Sequence, residues 1–207
     1  ELAVVHNGIG NVQAQLGNYE AALAAYQRAI ELDPKAAVPH NGLGNVHHQL
    51  GNDEAALAAY QRAIELDPKD ASPHYGIGNV HQLLGEYEKA LTAYQKAVEL
   101  APERGVYRAP LASVLRKLGR ETEAQEQIQI ARGLIAKENK YNRACFEAIC
   151  GNVEEALALL KVALEKKQAP LEWARRDPDF ESIRDDARFQ ALVAAGWDYL
   201  GDEAIGV

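Results

Sequence analysis

Glycines at 17, 51, 85 and 119 and prolines at 34, 68 and 102 recur at a strict spacing of 34 residues. Segments 17–50 and 51–84 are identical at 27 of 34 positions, more than shared amphipathicity alone would produce. A fixed period of this length means that one supersecondary unit is copied along the chain. The 207 residues therefore count repeats, with each unit expected to contact only its neighbours and no single central core. Recent duplication and a designed origin both fit such near-identity.

Within a unit, apolar residues return at three- and four-residue steps, as in Ala22, Leu23, Tyr26, Ala29 and Ile30, and then stop at Leu32-Asp33-Pro34. That pattern is an amphipathic helix ended by proline. The other half-unit, Ala37 to Leu50, has the same period and closes on Gly51-Asn52, a helix-terminating glycine followed by a residue able to cap the next helix. Each unit is thus a helical hairpin, with first helices expected near 3–16, 37–50, 71–84 and 105–118 and second helices near 19–32, 53–66, 87–100 and 121–135. Connections of two to four residues make consecutive helices antiparallel neighbours.

The fourth unit has Ala136 where the others have proline, so its second helix is expected to run on toward Asn139. A fifth, divergent unit follows, because Gly151-Asn152 and Glu155-Ala156-Leu157 to Ala163 match Gly17-Asn18 and the run Ala21 to Ala29. From about residue 169 the period breaks. Asp177-Pro178 and Asp185-Asp186 read as helix starts there, with Trp173, Phe180, Ile183, Phe189 and Leu192 as apolar contacts. The last hydrophobic face of a solenoid needs cover, which makes this segment the natural cap. The expected organisation is four repeats over 1–136, a divergent fifth over 137–167 and a helical cap over 168–207.

Charge narrows the partners. Twenty-two basic against thirty acidic side chains, net −8, speak against a nucleic-acid partner, which would need clustered cations. No apolar run approaches the roughly 20 residues of a spanning helix, so membrane insertion is not expected. Cys145 and Cys150 sit five apart in an expected helix, where their side chains diverge beyond disulfide reach; reduced, half-buried thiols in a cytoplasmic protein are the expectation. The chain begins at Glu1, two residues before a repeat, and has no methionine, which reads as a piece of something longer.

The spacing of Leu43-Gly44, Ala56, Tyr60, Ala63 and Pro68, with equivalents in units one and three, resembles the tetratricopeptide repeat. The resemblance covers about 1–136 strongly and 137–167 weakly, and 171–192 resembles terminal stretches that follow such repeats in bacterial proteins. It departs where family aromatics are replaced by His6, His40 and His74 and by Gln13, His47 and His81. It implies an all-α, right-handed superhelical solenoid of antiparallel helix pairs, whose first helices line a concave groove that binds peptides. Lysines that clamp chaperone tails in some relatives are Asn7 and Ser72 here, so such tails are not expected as ligands.

Gly10, Gly44 and Gly78 lie inside helices, where glycine costs about 1 kcal/mol against alanine; close approach of the partner helix would offset that. Gly8, Gly42 and Gly76 point more than about 150° away, and are read as keeping the groove floor bare. Asn11, Asn45 and Asn79, joined by Asn7 and Asn41 one turn earlier, share a helical face. In the family that face points into the groove, where carboxamides can pair with the backbone of an extended peptide. Bonds to neighbouring repeats or water are the competing account. Tyr75, Gln15, His48, Gln49, Gln82 and Leu83 should line the wall, and Arg116 and Lys117 continue it as a basic end for an acidic residue or free carboxylate. Solvated charges are the plainer reading of that end.

His40 and His47, like His74 and His81, share a helical face but lie about 10 Å apart along the axis, too far for one ion; no metal or cofactor is expected. Three serines and two threonines stand without a nearby His–acid pair and no phosphate loop is present, so no enzyme is expected. The sequence therefore points to a protein-interaction module that grips an extended partner segment through Asn7, Asn11, Asn41, Asn45, Tyr75, Asn79, Gln82 and Arg116. Two alternatives stay open. One is a self-associating scaffold, joined as a homo-oligomer through the apolar Val5, Ile9, Val12 and Leu16 of the first helix. The other is the regulatory arm of a larger protein.

Overall fold

The computed structural model describes residues 1–194; the tail of the expected cap, 195–207, lies outside the described residues. Every described element is helical. Five hairpins follow one another: α1 (Leu2–Gln15) with α2 (Tyr19–Leu32), α3 (Ala37–Gln49) with α4 (Asp53–Leu66), α5 (Ser72–Leu83) with α6 (Tyr87–Leu100), α7 (Gly105–Lys117) with α8 (Glu121–Leu134), and α9 (Lys140–Ile149) with α10 (Val153–Glu165). Then come α11 (Leu171–Arg176), a 3-10 segment (Pro178–Ile183) and α12 (Ala187–Ala194). Each first helix packs on its own second helix; α3, α5 and α7 also pack on the second helix of the hairpin before, α9 packs on α7 instead, and α1, α3 and α5 touch in sequence. This is the stacked-hairpin solenoid.

The hairpin turns share one device. Gly17, Gly51, Gly85, Gly119 and Gly151 all have φ between +73° and +80°, the left-handed region that only glycine enters freely. The amide after each glycine donates to the carbonyl five residues earlier, as Asn18 N does to Gln13 O at 2.9 Å, so the helix ends in a Schellman motif. Asn18 and Asn52 do not cap the following helices with their side chains; Asn18 Nδ2 instead donates to Gln13 Oε1 at 2.9 Å. The fourth unit's second helix stops at Leu134 rather than running on, and a 3-10 turn (Ile135–Lys137) leads to Asn139, whose side chain accepts from Asn142 N at 2.9 Å and starts α9.

Tyrosine rings bind hairpin to hairpin. A Cβ built on Gly10 would fall 2.5 Å from the Tyr26 ring, and one built on Gly42, in the next hairpin, also 2.5 Å from that ring. Tyr60 is held in the same way between Gly44 and Gly76. The glycines at 42 and 76 are therefore packing glycines for the preceding unit's tyrosine, and they do not form a bare groove floor. Gly8 is the exception, with nothing within 4 Å. In the fourth unit the tyrosine position holds Ile128, and Pro110 and Ala112 replace the glycine pair.

The C-terminal segment breaks the expected nearest-neighbour rule. Residues 171–183 lie across the first helices: Arg176 Nη1 donates to Gln49 O at 3.4 Å across 127 positions of sequence, and Lys117 Nζ donates to Glu181 Oε1 at 2.8 Å. Phe180, Ile183, Phe189, Leu192 and Val193 join α9 and α10 in one buried apolar cluster, with Trp173 packed at its edge. The Phe180 ring meets Tyr141 edge-on at 5.7 Å and Phe189 at 5.5 Å.

Candidate functional site

The asparagine series is built by the hairpin itself. Position 11 of α1 faces position 26 of α2, and the Tyr26 hydroxyl donates to Asn11 Oδ1 at 2.8 Å; Tyr60 donates to Asn45 Oδ1 at 2.9 Å, and Tyr94 to Asn79 Oδ1 at 2.8 Å. Burial pushes the Tyr26 phenol up to about 12 and those of Tyr60 and Tyr94 higher still, so each keeps the proton it donates. The bond uses the carboxamide oxygen alone. Each Nδ2 carries two protons and makes no hydrogen bond among the described residues, so the amide is oriented by the tyrosine and left with its donor end unspent.

The other expected contact residues divide. Asn41, Asn45, Tyr75 and Asn79 line one cavity of about 280 Å³, together with Tyr107, Tyr141, Arg104, Trp173 and Arg176. Asn41 Oδ1 is buried and without a partner among the described residues, as is Asn7 Oδ1. Tyr75 stacks at a tilt between Tyr94 (5.9 Å) and Tyr107 (5.3 Å). Asn11 is exposed and lies outside that cavity. Gln82 is 5% exposed, with Oε1 2.8 Å from the Tyr94 hydroxyl; that single proton serves Asn79 or Gln82 at any moment. Gln82 borders a second cavity of about 510 Å³. Arg116 borders a third of about 370 Å³, but its Nη1 donates to Ile149 O at 2.7 Å, so the guanidinium joins α7 to α9 as well as facing the groove.

Pro178 lines all three cavities. The groove is thus subdivided by the chain's own residues 171–183. The Tyr141 hydroxyl donates to Asp177 Oδ2 at 2.8 Å, Cys145 Sγ approaches the same oxygen at 3.7 Å, and Ser182 Oγ donates to Ala148 O at 2.8 Å. Ligand atoms of Cys145, Asp177 and Asp179 lie within 4.8 Å of one another, a set of the kind that can hold a metal ion. Their electrostatics favour protons there. Burial, and then the neighbouring charge of Asp177, lifts the Asp179 carboxyl well above its usual value; burial also lifts Asp177 and the Cys145 thiol. Cys145 is buried outright, deeper than half-buried.

Two of the six histidines are engaged locally: His48 Nδ1 lies 2.9 Å from Asp53 Oδ1, and His81 Nδ1 2.6 Å from Glu86 Oε2, each tying a first helix to the start of the helix that follows it. Tyr141, Cys145 and Lys117 as anchors for residues 177–181 were not foreseen in the sequence. The only signal was the clustering of acids around Pro178.

Residues 10–51 and 44–85 match the family described as TPR repeat, and 71–104 that described as tetratricopeptide repeat. Among curated proteins no sequence matches this chain. A thermophilic TPR protein of Thermus thermophilus superposes with a TM-score of 0.63 at 19% identity, over 93% of this chain and 97% of its own. MamA superposes with a TM-score of 0.56 at 22% identity, over 81% and 93%. YrrB, a TPR protein with an unusual peptide-binding site, superposes at 0.52 and 25% identity, over 81% and 88%. The O-GlcNAc transferase of Thermobaculum terrenum matches 55% of this chain with only 22% of its own, at 28% identity and 0.52.

Proposed function

This chain is a tetratricopeptide-repeat protein, and thus a protein-interaction module, and from that premise we propose that it grips a segment of a protein partner in its concave groove. The carrying observation is that Asn45 and Asn79 line one cavity with Asn41 and Tyr75, their oxygens fixed by tyrosine and their Nδ2 donors unspent. Donors oriented in this way suit backbone carbonyls and carboxylates of a bound segment. Asn7, Asn11, Gln82 and Arg116 extend the contact surface along the first helices. YrrB's unusual peptide-binding site lends support to a peptide ligand. The proposed arrangement is one of binding, with the fifth unit and residues 168–194 as cap.

The test removes the donors while leaving each tyrosine an acceptor, Asn11→Asp, Asn45→Asp and Asn79→Asp together, beside an uncharged triple variant, Asn11→Ala, Asn45→Ala and Asn79→Ala, that separates donor loss from the added negative charge; folding is followed by circular dichroism. Immobilised random peptides should be selected by the parent chain and lost by both folded triple variants. Equal selection by the parent and the uncharged variant would remove the asparagines from the site.

A second reading rests on the open face of α1. Val5, Ile9, Val12 and Leu16 are 43–55% exposed, and Gly8 offers an empty socket where Gly42 and Gly76 receive tyrosine rings. A second copy covering that face would make the chain a scaffold subunit, seen as a concentration-dependent mass in light scattering.

A further inference from the structure

The groove already has an occupant, and the way it is held describes what else would fit. Residues 177–181 present Asp177 and Asp179 on either side of Pro178, then Phe180 and Glu181. What meets them from the first helices is a set of donors: the Tyr141 hydroxyl and the Cys145 thiol at Asp177, and the Lys117 ammonium at Glu181. Phe180 is fully buried, edge-on to Tyr141. A donor set facing carboxyl groups beside an aromatic anchor pocket is the chemistry of a recognition site.

The resident segment fills this seat imperfectly. Asp179 is 3% exposed and its Oδ1 has no hydrogen-bond partner among the described residues; Gln82 Nε2, on α5, is likewise buried without one. A buried polar atom left unpaired is costly, so an incoming segment that satisfied these groups would compete from a favourable position. Residues 171–176 reach the N-terminal units through Arg176, whose Nη1 donates to Gln49 O at 3.4 Å.

Taking the concave groove as the binding face, we infer that the seat under residues 177–181 is a docking site for a partner segment of the same chemistry: carboxyl groups flanking a proline turn, followed by an aromatic ring. The chain's own segment is its resident competitor, and a partner enters by displacing it.

The probe is a fluorescein-labelled peptide of residues 171–186, followed by anisotropy against the full chain. Arg176→Ala with Glu181→Ala loosens the resident segment while leaving the first-helix donors Tyr141, Cys145 and Lys117 and the Phe180 core in place. The labelled peptide should bind this variant at least tenfold more tightly than the parent, and a peptide carrying Phe180→Ala should not bind. A variant that is folded by circular dichroism yet binds no better than the parent would overturn the inference, as would equal binding of the Phe180→Ala peptide. Library-selected peptides separate the two readings. If they bind and depend on the asparagine donors, but the 171–186 peptide neither binds nor competes, the groove reading stands and this inference falls; if nothing binds, both fall.

Discussion

The first three hairpins and the last one solve the same packing problem by opposite means. In the N-terminal units the core is thin, with Ala22, Tyr26 and Val46, or Ala56, Tyr60 and Val80, closing each interface. In the first two units one ring stands between two glycines, and in the third Tyr94 meets Gly78 on one side. The fifth hairpin uses neither tyrosine clamp nor glycine pair; it builds a broad apolar cluster from Leu157, Leu160, Phe180, Phe189 and their neighbours. Identical repeats concentrate their stability in one side chain per unit, whereas the divergent end spreads it over many and can carry a non-repeating segment into the groove. Substitutions should therefore act sharply in the first region and diffusely in the second.

The largest effect is expected from Tyr60→Ala. The ring is 1% exposed, and its two glycine walls are backbone that cannot collapse into the space. A loss of about 3–5 kcal/mol follows, read as a lowered urea midpoint. Leu160→Ala, equally buried in the fifth unit, is expected to cost less, about 2–4 kcal/mol, because flexible side chains around it can close in. If Leu160→Ala proved the more damaging, the contrast between concentrated and distributed packing would fail.

Next in size is a comparison of one repeat position in two settings. Gly42→Ala sets a methyl 2.5 Å from the Tyr26 ring, and the ring is itself pinned by Gly10. Overpacking of that kind costs about 1–3 kcal/mol. Gly8→Ala, the same position one unit earlier, meets nothing within 4 Å and should stabilise by roughly 0.5–1 kcal/mol through helix propensity. Opposite signs in thermal melts of the two variants are the expected result; equal signs would mean that the clamp is not what fixes these glycines. Tyr60→Phe isolates the polar half of the clamp. It keeps the ring and removes the donor to Asn45 Oδ1, at a cost of about 1 kcal/mol.

Much of this was legible from the period alone, and the failures share a cause. Helix boundaries came within a residue or two because Gly17, Gly51 and Pro34 act locally, on the turn in which they sit. The role of Gly10, Gly44 and Gly78 was also readable, since their tyrosines belong to the same hairpin. Gly42 and Gly76 were misread because the ring they receive lies in the preceding unit. Asn18 and Asn52 look like caps, but the Schellman turn directs their backbone, and Asn18 sends its side chain back to Gln13. The asparagine face was identified by helical spacing, whereas the tyrosine that takes each oxygen stands 15 residues away on the partner helix. The C-terminal segment's place in the groove could not be read at all, because its ties to Gln49 and Lys117 span 127 and 64 residues and follow no repeat.

The smallest expected effect bears on the divergent region alone, and it is one of pH. Asp179 is raised well above its ordinary value by burial and by the charge of Asp177; Asp177 is raised by burial, against the opposing pull of the Asp179 amide, Tyr141, Cys145 and the charge of His48. From α5 and α6, Tyr75 and Tyr94 also face this pair and are themselves pushed up. Below the ordinary carboxylate value near 3.8 both acids are protonated whether the segment is seated or released, and seating is at full strength. As the pH rises past that value the released segment ionises while the seated one holds its protons, so seating weakens progressively until the raised values are passed. Trp173, half-buried on the same segment, reports this in a Trp197→Phe background: its emission should shift to longer wavelength as the pH is raised above about 3.8 while the far-ultraviolet circular dichroism of the hairpins stays constant. The shift should vanish when Asp177→Asn and Asp179→Asn are combined, since neither carboxyl then remains to titrate. A shift that persisted in that variant would move the titration to another group and leave the packing contrast between the two regions untouched.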